Sequence, residues 1–260
     1  MAPGSGISLE ARDQVLWITI DRPGVLNALD PAAHGALSAA FDAFAADPAL
    51  RVAVVTGAGE RAFCAGTDLK ARARTNEDGH PPTGYAGLTH RFDLSKPVVA
   101  AVNGLALGGG VEIVAACDLA YAADHATFAL PEIRVGLAAI GGGALHRLAR
   151  SIPLKHAMEL ALTGRRIDAA EACRIGLVNA VVPRGGLRDH VARVAAEIVA
   201  GAPLSVQATK QVMQRSLAHA DIAQALAARY PAVEAMLSSE DAKEGQRAFV
   251  EKRAPRWTGK

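Results

Sequence analysis

Asn103-Gly104-Leu105-Ala106-Leu107-Gly108-Gly109-Gly110-Val111-Glu112 is the most informative segment of the chain. Its three consecutive glycines let a backbone pass close to a ligand, because no Cβ blocks the approach. The apolar run from Val111 to Ala116 reads as the start of a helix. The N–H groups of Gly109 and Gly110 therefore sit where an anion would be held at a helix N-terminus. Glu112 falls in the first turn of that helix. Downstream, Leu130-Pro131-Glu132 places a second carboxylate in an apolar segment. An anion-holding backbone with two carboxylates in apolar surroundings is suited to moving protons at a carbon beside a carbonyl.

Working outward, Val15–Ile20 reads as a strand by its β-branched content. Asp30-Pro31 opens a helix, with Asp30 as N-cap and Pro31 at the first helical position, that runs to about Ala46. Val52–Thr56 and Val98–Val102 are wholly apolar short strands, which imply a sheet covered on both faces. Leu119–Ala122 repeats the pattern more weakly. This recurrence of strand, loop, helix and strand through residue ~182 predicts an α/β organisation. The polar segment Thr75–Gly84 reads as a loop within the domain. Beyond Pro183, helical periodicity runs through 187–200, 203–217, 221–237 and 240–252. The chain is accordingly divided into a core over residues 1–197 and a helical region over 198–260, ending in a basic, solvated tail.

The 260 residues are half hydrophobic and only 4% aromatic, which fits a packed Ala/Val/Leu core. A net charge of +2 gives no electrostatic footprint for nucleic acid. No apolar run approaches the ~18 residues of a membrane span, and the N-terminus lacks the pattern of a secretory signal. Cys64, Cys117 and Cys173 are odd in number and widely spaced. They imply neither a disulfide framework nor a metal site, and cytosolic thiols are the expectation.

Gly57-Ala58-Gly59-Glu60-Arg61-Ala62 follows a strand and matches a relaxed dinucleotide fingerprint. The fingerprint needs a helix beginning within the glycines, and Phe63-Cys64-Ala65-Gly66 interrupts it. Phe63–Lys70 is the more telling segment. Small residues after a buried strand again bare the backbone, and Asp68 can cap a helix beginning near Leu69. Two such loops, here and at 103–110, can each give one N–H to a single oxygen.

Phe63–Lys70, Asn103–Glu112 and Phe128-Ala129-Leu130-Pro131-Glu132-Ile133, with Arg22-Pro23 and Leu26-Asn27-Ala28-Leu29 before them, together resemble the crotonase, or enoyl-CoA hydratase/isomerase, superfamily. Leu162-Thr163-Gly164-Arg165 and Gly176-Leu177-Val178 extend the resemblance over essentially the whole chain. It implies an α/β spiral of ββα turns with a C-terminal helical trimerisation region. It also implies a cytoplasmic homo-oligomer, a trimer or a hexamer built as a dimer of trimers. By position, the N–H groups of Thr67 and Gly109 are expected to form an oxyanion hole for an acyl-CoA thioester. Glu112 and Glu132 align with the two glutamates that hydratases of the family use. Val25, Ala28, Asp68, Leu69 and Lys70 are expected near coenzyme A, which is the substrate's carrier; no other cofactor, metal, nucleic acid or membrane is implied.

The activity implied is a hydro-lyase acting across the Cα–Cβ bond of an acyl-CoA. Gly87–Phe92 and Ser239–Gly245 bring the chain nearest the carnitinyl-CoA dehydratase branch, although only Tyr85, Phe92 and Phe128 are at hand to face a quaternary ammonium. Two departures stand out. Thr67 occupies a position often filled by alanine, which leaves the backbone donor intact. Gly136–Gly143 lacks the proline common after the second glutamate, which bears on acyl-chain preference. The alternatives are a double-bond isomerase, which can work with the carboxylate at 132 alone, and a non-enzymatic RNA-binding paralogue. The histidines read as surface or core residues, with His34, His156, His190 and His219 on helix surfaces and His90 a candidate for the acyl pocket.

Overall fold

The computed structural model describes residues 5–75 and 79–260, so the expected loop at Thr75–Gly84 lies partly outside the described residues. The chain opens with β1 (Ile7–Arg12), β2 (Val15–Ile20), α1 (Pro31–Ala46), β3 (Val52–Gly57), β4 (Ala62–Cys64) and α2 (Leu69–Thr75). It continues with β5 (Val98–Val102), β6 (Leu105–Leu107), α3 (Gly109–Ala116), β7 (Leu119–Ala123), β8 (Thr127–Ala129), α4 (Ala144–Ser151) and α5 (Leu154–Thr163). Then come β9 (Ile167–Asp168), α6 (Ala169–Arg174), β10 (Ala180–Val182), α7 (Leu187–Val199), α8 (Pro203–Ser216), α9 (Ile222–Ala227), α10 (Pro231–Leu237) and α11 (Glu240–Val250). Short 3-10 turns at Pro23–Val25, Tyr85–Gly87, Pro131–Val135 and Arg184–Gly186 link them.

Two sheets share these strands. One has the order β1-β2-β3-β5-β7-β10, the other β4-β6-β8-β9. Only the first pair and the β8/β9 pair are antiparallel. The chain thus steps from the large sheet to the small one and then into a helix: β3 to β4 to α2, β5 to β6 to α3. Stacking these ββα turns aligns Ala62 with Leu105 and Leu105 with Thr127. The loops that leave β4, β6 and β8 therefore emerge side by side at one end of the small sheet. That end is where open parallel sheets present ligand sites.

The expected strands at 15–20, 52–56, 98–102 and 119–122 and the helix from Pro31 are all present, and Asp30 Oδ1 accepts the Ala33 N–H at 2.9 Å as N-cap. β2, β3 and β5 carry core on both faces. Ile18, Val55 and Ala100 pack toward α1 and α3, while Trp17, Val54 and Val99 pack toward α7. Between β3 and β4 no helix begins, which rules out the dinucleotide fingerprint at Gly57–Ala62. The single helix expected over 221–237 is two, α9 and α10, because Pro231 has no N–H to continue the first and instead starts the second. The tail is largely exposed, as expected, but its end is docked. Buried Asp241 accepts the N–H groups of Thr258 and Gly259, and Trp257 Nε1 donates to Ala200 O.

Candidate active site

The loop leaving β4 carries Thr67, and the start of α3 carries Gly109. Leu29 and Thr67 form a parallel bridge: Leu29 N–H donates to Gly66 O and Asp68 N–H to Leu29 O, both at 2.8 Å. Among the described residues neither Thr67 N–H, which lies between two bonded neighbours, nor Gly109 N–H, which heads α3, has an acceptor. The two loops touch: the point where a Cβ on Gly66 would stand is 3.4 Å from Gly109 N. The helix begins two residues earlier than the apolar run predicts, with Gly108 at its N-cap, and Glu112 lies in its first turn.

Glu112 is buried, and one carboxylate oxygen is fixed by backbone. Gly142 N–H donates to Oε1 at 2.7 Å and Ala144 N–H at 3.4 Å. Arg147 ties down the same loop, donating to Gly142 O at 2.9 Å and to Thr89 O at 2.5 Å. Glu132 enters on the 3-10 turn after β8. A Cβ on Gly108 would stand 2.6 Å from its Oε1, while its Oε2 is buried with no hydrogen-bond partner. Burial is the larger cause pushing the Glu132 carboxyl above the usual range. The neighbouring Glu112 adds to it, against the pull of its own backbone N–H.

The residues expected near coenzyme A lie on two segments, one before α1 and one at the start of α2, that the Leu29–Thr67 bridge holds together. Val25, Leu69 and Lys70 are exposed, and Ala28 is buried. Asp68 is occupied structurally: one oxygen caps α2 through Lys70 and Ala71, and the other pairs with Arg22 at 3.3 Å, which also holds Asp30. Cys64 is fully buried and burial pushes its thiol up to about 12, so it is no nucleophile. Among the described residues no cluster of His, Cys, Asp and Glu could hold a metal.

One histidine expectation is overturned. His34 is wholly buried on α1, because the turn at Tyr85–Gly87 packs over it and Ala86 N–H donates to its Nδ1 at 2.9 Å. His90 is exposed, with its ring stacked on Phe92 at 6.4 Å. Tyr85, read from the sequence only as an aromatic at hand for a cation, is instead buried edge-on to the rings of His34 and His80 at 4.6 and 5.2 Å. The sequence reading missed Gly142 as the anchor of Glu112. The glycine triplet 141–143 was the available signal; nothing local marks the burial of Tyr85.

The sequence model of the enoyl-CoA hydratase/isomerase family matches residues 10–260. A carnitinyl-CoA dehydratase of Salmonella arizonae is 45% identical over 97% of this chain and 98% of its own length. One from Proteus mirabilis is 43% identical over 98% of each. Among solved structures, an enoyl-CoA hydratase from Mycobacterium tuberculosis superposes with a TM-score of 0.92 at 42% identity, covering 98% of this chain and 100% of that one. A probable enoyl-CoA hydratase/isomerase from Mycobacterium abscessus gives 0.91 at 44%, covering 100% of both.

Proposed function

This chain belongs to the enoyl-CoA hydratase/isomerase family, and we infer that it is a hydro-lyase adding or removing water across the Cα–Cβ bond of acyl-CoA thioesters. One observation carries the choice of reaction. Glu112 has one oxygen pinned by Gly142 N–H and the other without a hydrogen bond among the described residues, and it stands near Glu132, whose buried Oε2 likewise has no partner among them. A double-bond shift needs a single carboxylate and would leave the anchored Glu112 idle. Hydration needs both.

In the hydration direction Glu112, as the carboxylate, accepts a proton from water while the water oxygen bonds to Cβ. The Cα–Cβ π electrons move into the thioester, whose oxygen is held by the N–H groups of Thr67 and Gly109. Glu132 then delivers its proton to Cα and the carbonyl re-forms. Burial favours the neutral form of Glu132, which suits a group that holds the Cα proton. The two glutamates end with protons exchanged, and solvent restores them. Dehydration is the reverse.

On the acyl side we favour uncharged enoyl thioesters over a trimethylammonium-bearing one. Phe128 belongs to the core, and Tyr85 is sealed beneath Gly109. Phe92 is 80% exposed with the Arg147 guanidinium already 6.0 Å from its ring centre. No aromatic cage for a cation forms among the described residues. Val25, Ala28, Leu69 and Lys70 are proposed to flank coenzyme A, with Asp68 supporting their loop rather than touching the ligand. The exposed Leu217, Ile222, Leu226, Leu237 and Phe249 of the C-terminal helices fit a homo-oligomer, trimeric or hexameric, that light scattering would size. Turnover of crotonyl-CoA against crotonobetainyl-CoA tests the substrate reading: efficient hydration of the first supports it, and turnover of the second alone overturns it.

A further inference from the structure

The Tyr85 hydroxyl is fully buried and makes no hydrogen bond of good geometry, although it lies beside Thr67 and Cys64. Buried hydroxyls are nearly always paired, so this one calls for a reason. Its surroundings supply one. The phenol end occupies the place where a side chain on residue 109 would be, so a methyl group on Gly109 would overlap Tyr85 Cζ and its hydroxyl oxygen. The same hydroxyl faces the side chain of Thr67. One tyrosine therefore touches both loops whose N–H groups have no acceptor. Two amide donors without an acceptor among the described residues, Thr67 N–H and Gly109 N–H, and the Tyr85 O–H gather at the junction of the two loops. The one nearby sulfur acceptor, Cys64 Sγ, is already taken by Gly66 N–H at 3.4 Å.

We propose that Tyr85 is a positioning residue of the oxyanion site, setting Gly109 with its ring and orienting Thr67 with its hydroxyl, so that both amides are aligned before the thioester binds. This rests on the hydro-lyase reading and adds a named residue to it. The ring excludes any side chain at 109 and fixes how far the start of α3 can approach the β4 loop. The hydroxyl, against Thr67, ties the second donor to the first. Its dipole, set against Thr67 at the head of both loops, lies on the donor side of the site where charge develops on the thioester oxygen. Thr67, where relatives often have alanine, is the other half of this hydroxyl pair.

Tyr85→Phe keeps the ring and removes only the hydroxyl; Thr67→Ala keeps the amide and removes the other hydroxyl. Each is measured for kcat and KM on crotonyl-CoA. Each is also measured for the red shift of a bound dimethylaminocinnamoyl-CoA, whose absorbance reports polarisation of the thioester carbonyl. The expectation for Tyr85→Phe is a five- to tenfold fall in kcat with KM unchanged and a smaller red shift, the size of one neutral hydrogen bond. Thr67→Ala should do the same, and the double variant should be no worse than either single. Thermal unfolding separates a structural role, which would lower Tm without touching the red shift. Wild-type kcat and red shift in Tyr85→Phe would overturn the proposal. A wild-type enzyme that neither hydrates crotonyl-CoA nor shifts the chromophore would instead overturn the hydro-lyase reading.

Discussion

Gly142 and Glu112, thirty residues apart, are locked together: the Gly142 N–H donates to Glu112 Oε1 at 2.7 Å, and a Cβ on Gly142 would stand 2.6 Å from Oε2. One glycine thus both holds the carboxylate and leaves it room. Gly142→Ala must push the carboxylate or its loop aside. Hydration should fall by about tenfold or more in kcat. Exchange of the Cα proton of a saturated acyl-CoA with deuterated water should survive, because on this account it uses Glu132 and not Glu112. Proton NMR of the thioester checks it, and loss of exchange in step with hydration would mean the two carboxylates are not separable.

Gly109→Ala acts on the other half of the site. The added methyl group overlaps Tyr85 and displaces the amide at the head of α3. Losing one oxyanion donor costs on the order of a hundredfold or more in kcat. Here both hydration and Cα exchange should fall together, in contrast to Gly142→Ala. Steady-state kinetics and the same exchange experiment on one preparation decide it.

Burial raises the Glu132 carboxyl, so its charged form is disfavoured in the folded protein. The sign follows from linkage. The contribution of a group with a raised folded pKa is intact below the unfolded value and is lost as pH rises through the folded one. At neutral pH, above the ordinary carboxylate range, Glu132 therefore costs the fold stability whether it keeps its proton or gives it up. Glu132→Gln should raise Tm at about pH 7 to 8, and the gain should vanish below about pH 4. In the wild type, hydration should fade on the alkaline side as Glu132 loses its proton. Calorimetry across pH tests the first statement and a pH–rate profile the second.

His34 has the opposite sign. Burial, with help from nearby His80 and against Asp30, lowers it to about 4. A depressed folded value gives stability that is complete above the unfolded pKa and is lost as pH falls. Between about pH 7 and pH 4 the wild type should lose on the order of 3 kcal/mol through this group. His34→Asn keeps an acceptor for the Ala86 N–H and cannot titrate. Urea unfolding at both pH values should show a shallower loss for the variant, and equal losses would show that His34 is not the source.

Much of the large sheet was legible because β2, β3 and β5 are buried on both faces and so read as unbroken apolar runs. The helix from Pro31 was legible because Asp30 and Pro31 are local signals. The small sheet was not. β4, β6 and β8 are three residues each, too short to show a period of two, and only their stacking makes them strands. The same stacking brings the Thr67, Gly109 and Glu132 segments together, so their proximity came from family resemblance rather than from spacing. His34 read as surface because its cover, the turn at Tyr85, lies some fifty positions away in the chain. That turn needs Ala86 at φ 54°, which no local pattern announces.

The most direct test of the account is hydration of crotonyl-CoA by the wild type, Glu112→Gln, Glu132→Gln and the double variant, followed by loss of the enoyl-thioester absorbance. Both single variants should fall by more than about a hundredfold in kcat, with the double variant little lower than either, because the two carboxylates serve one water addition. A single variant that still hydrates at the wild-type rate would contradict the two-carboxylate mechanism outright.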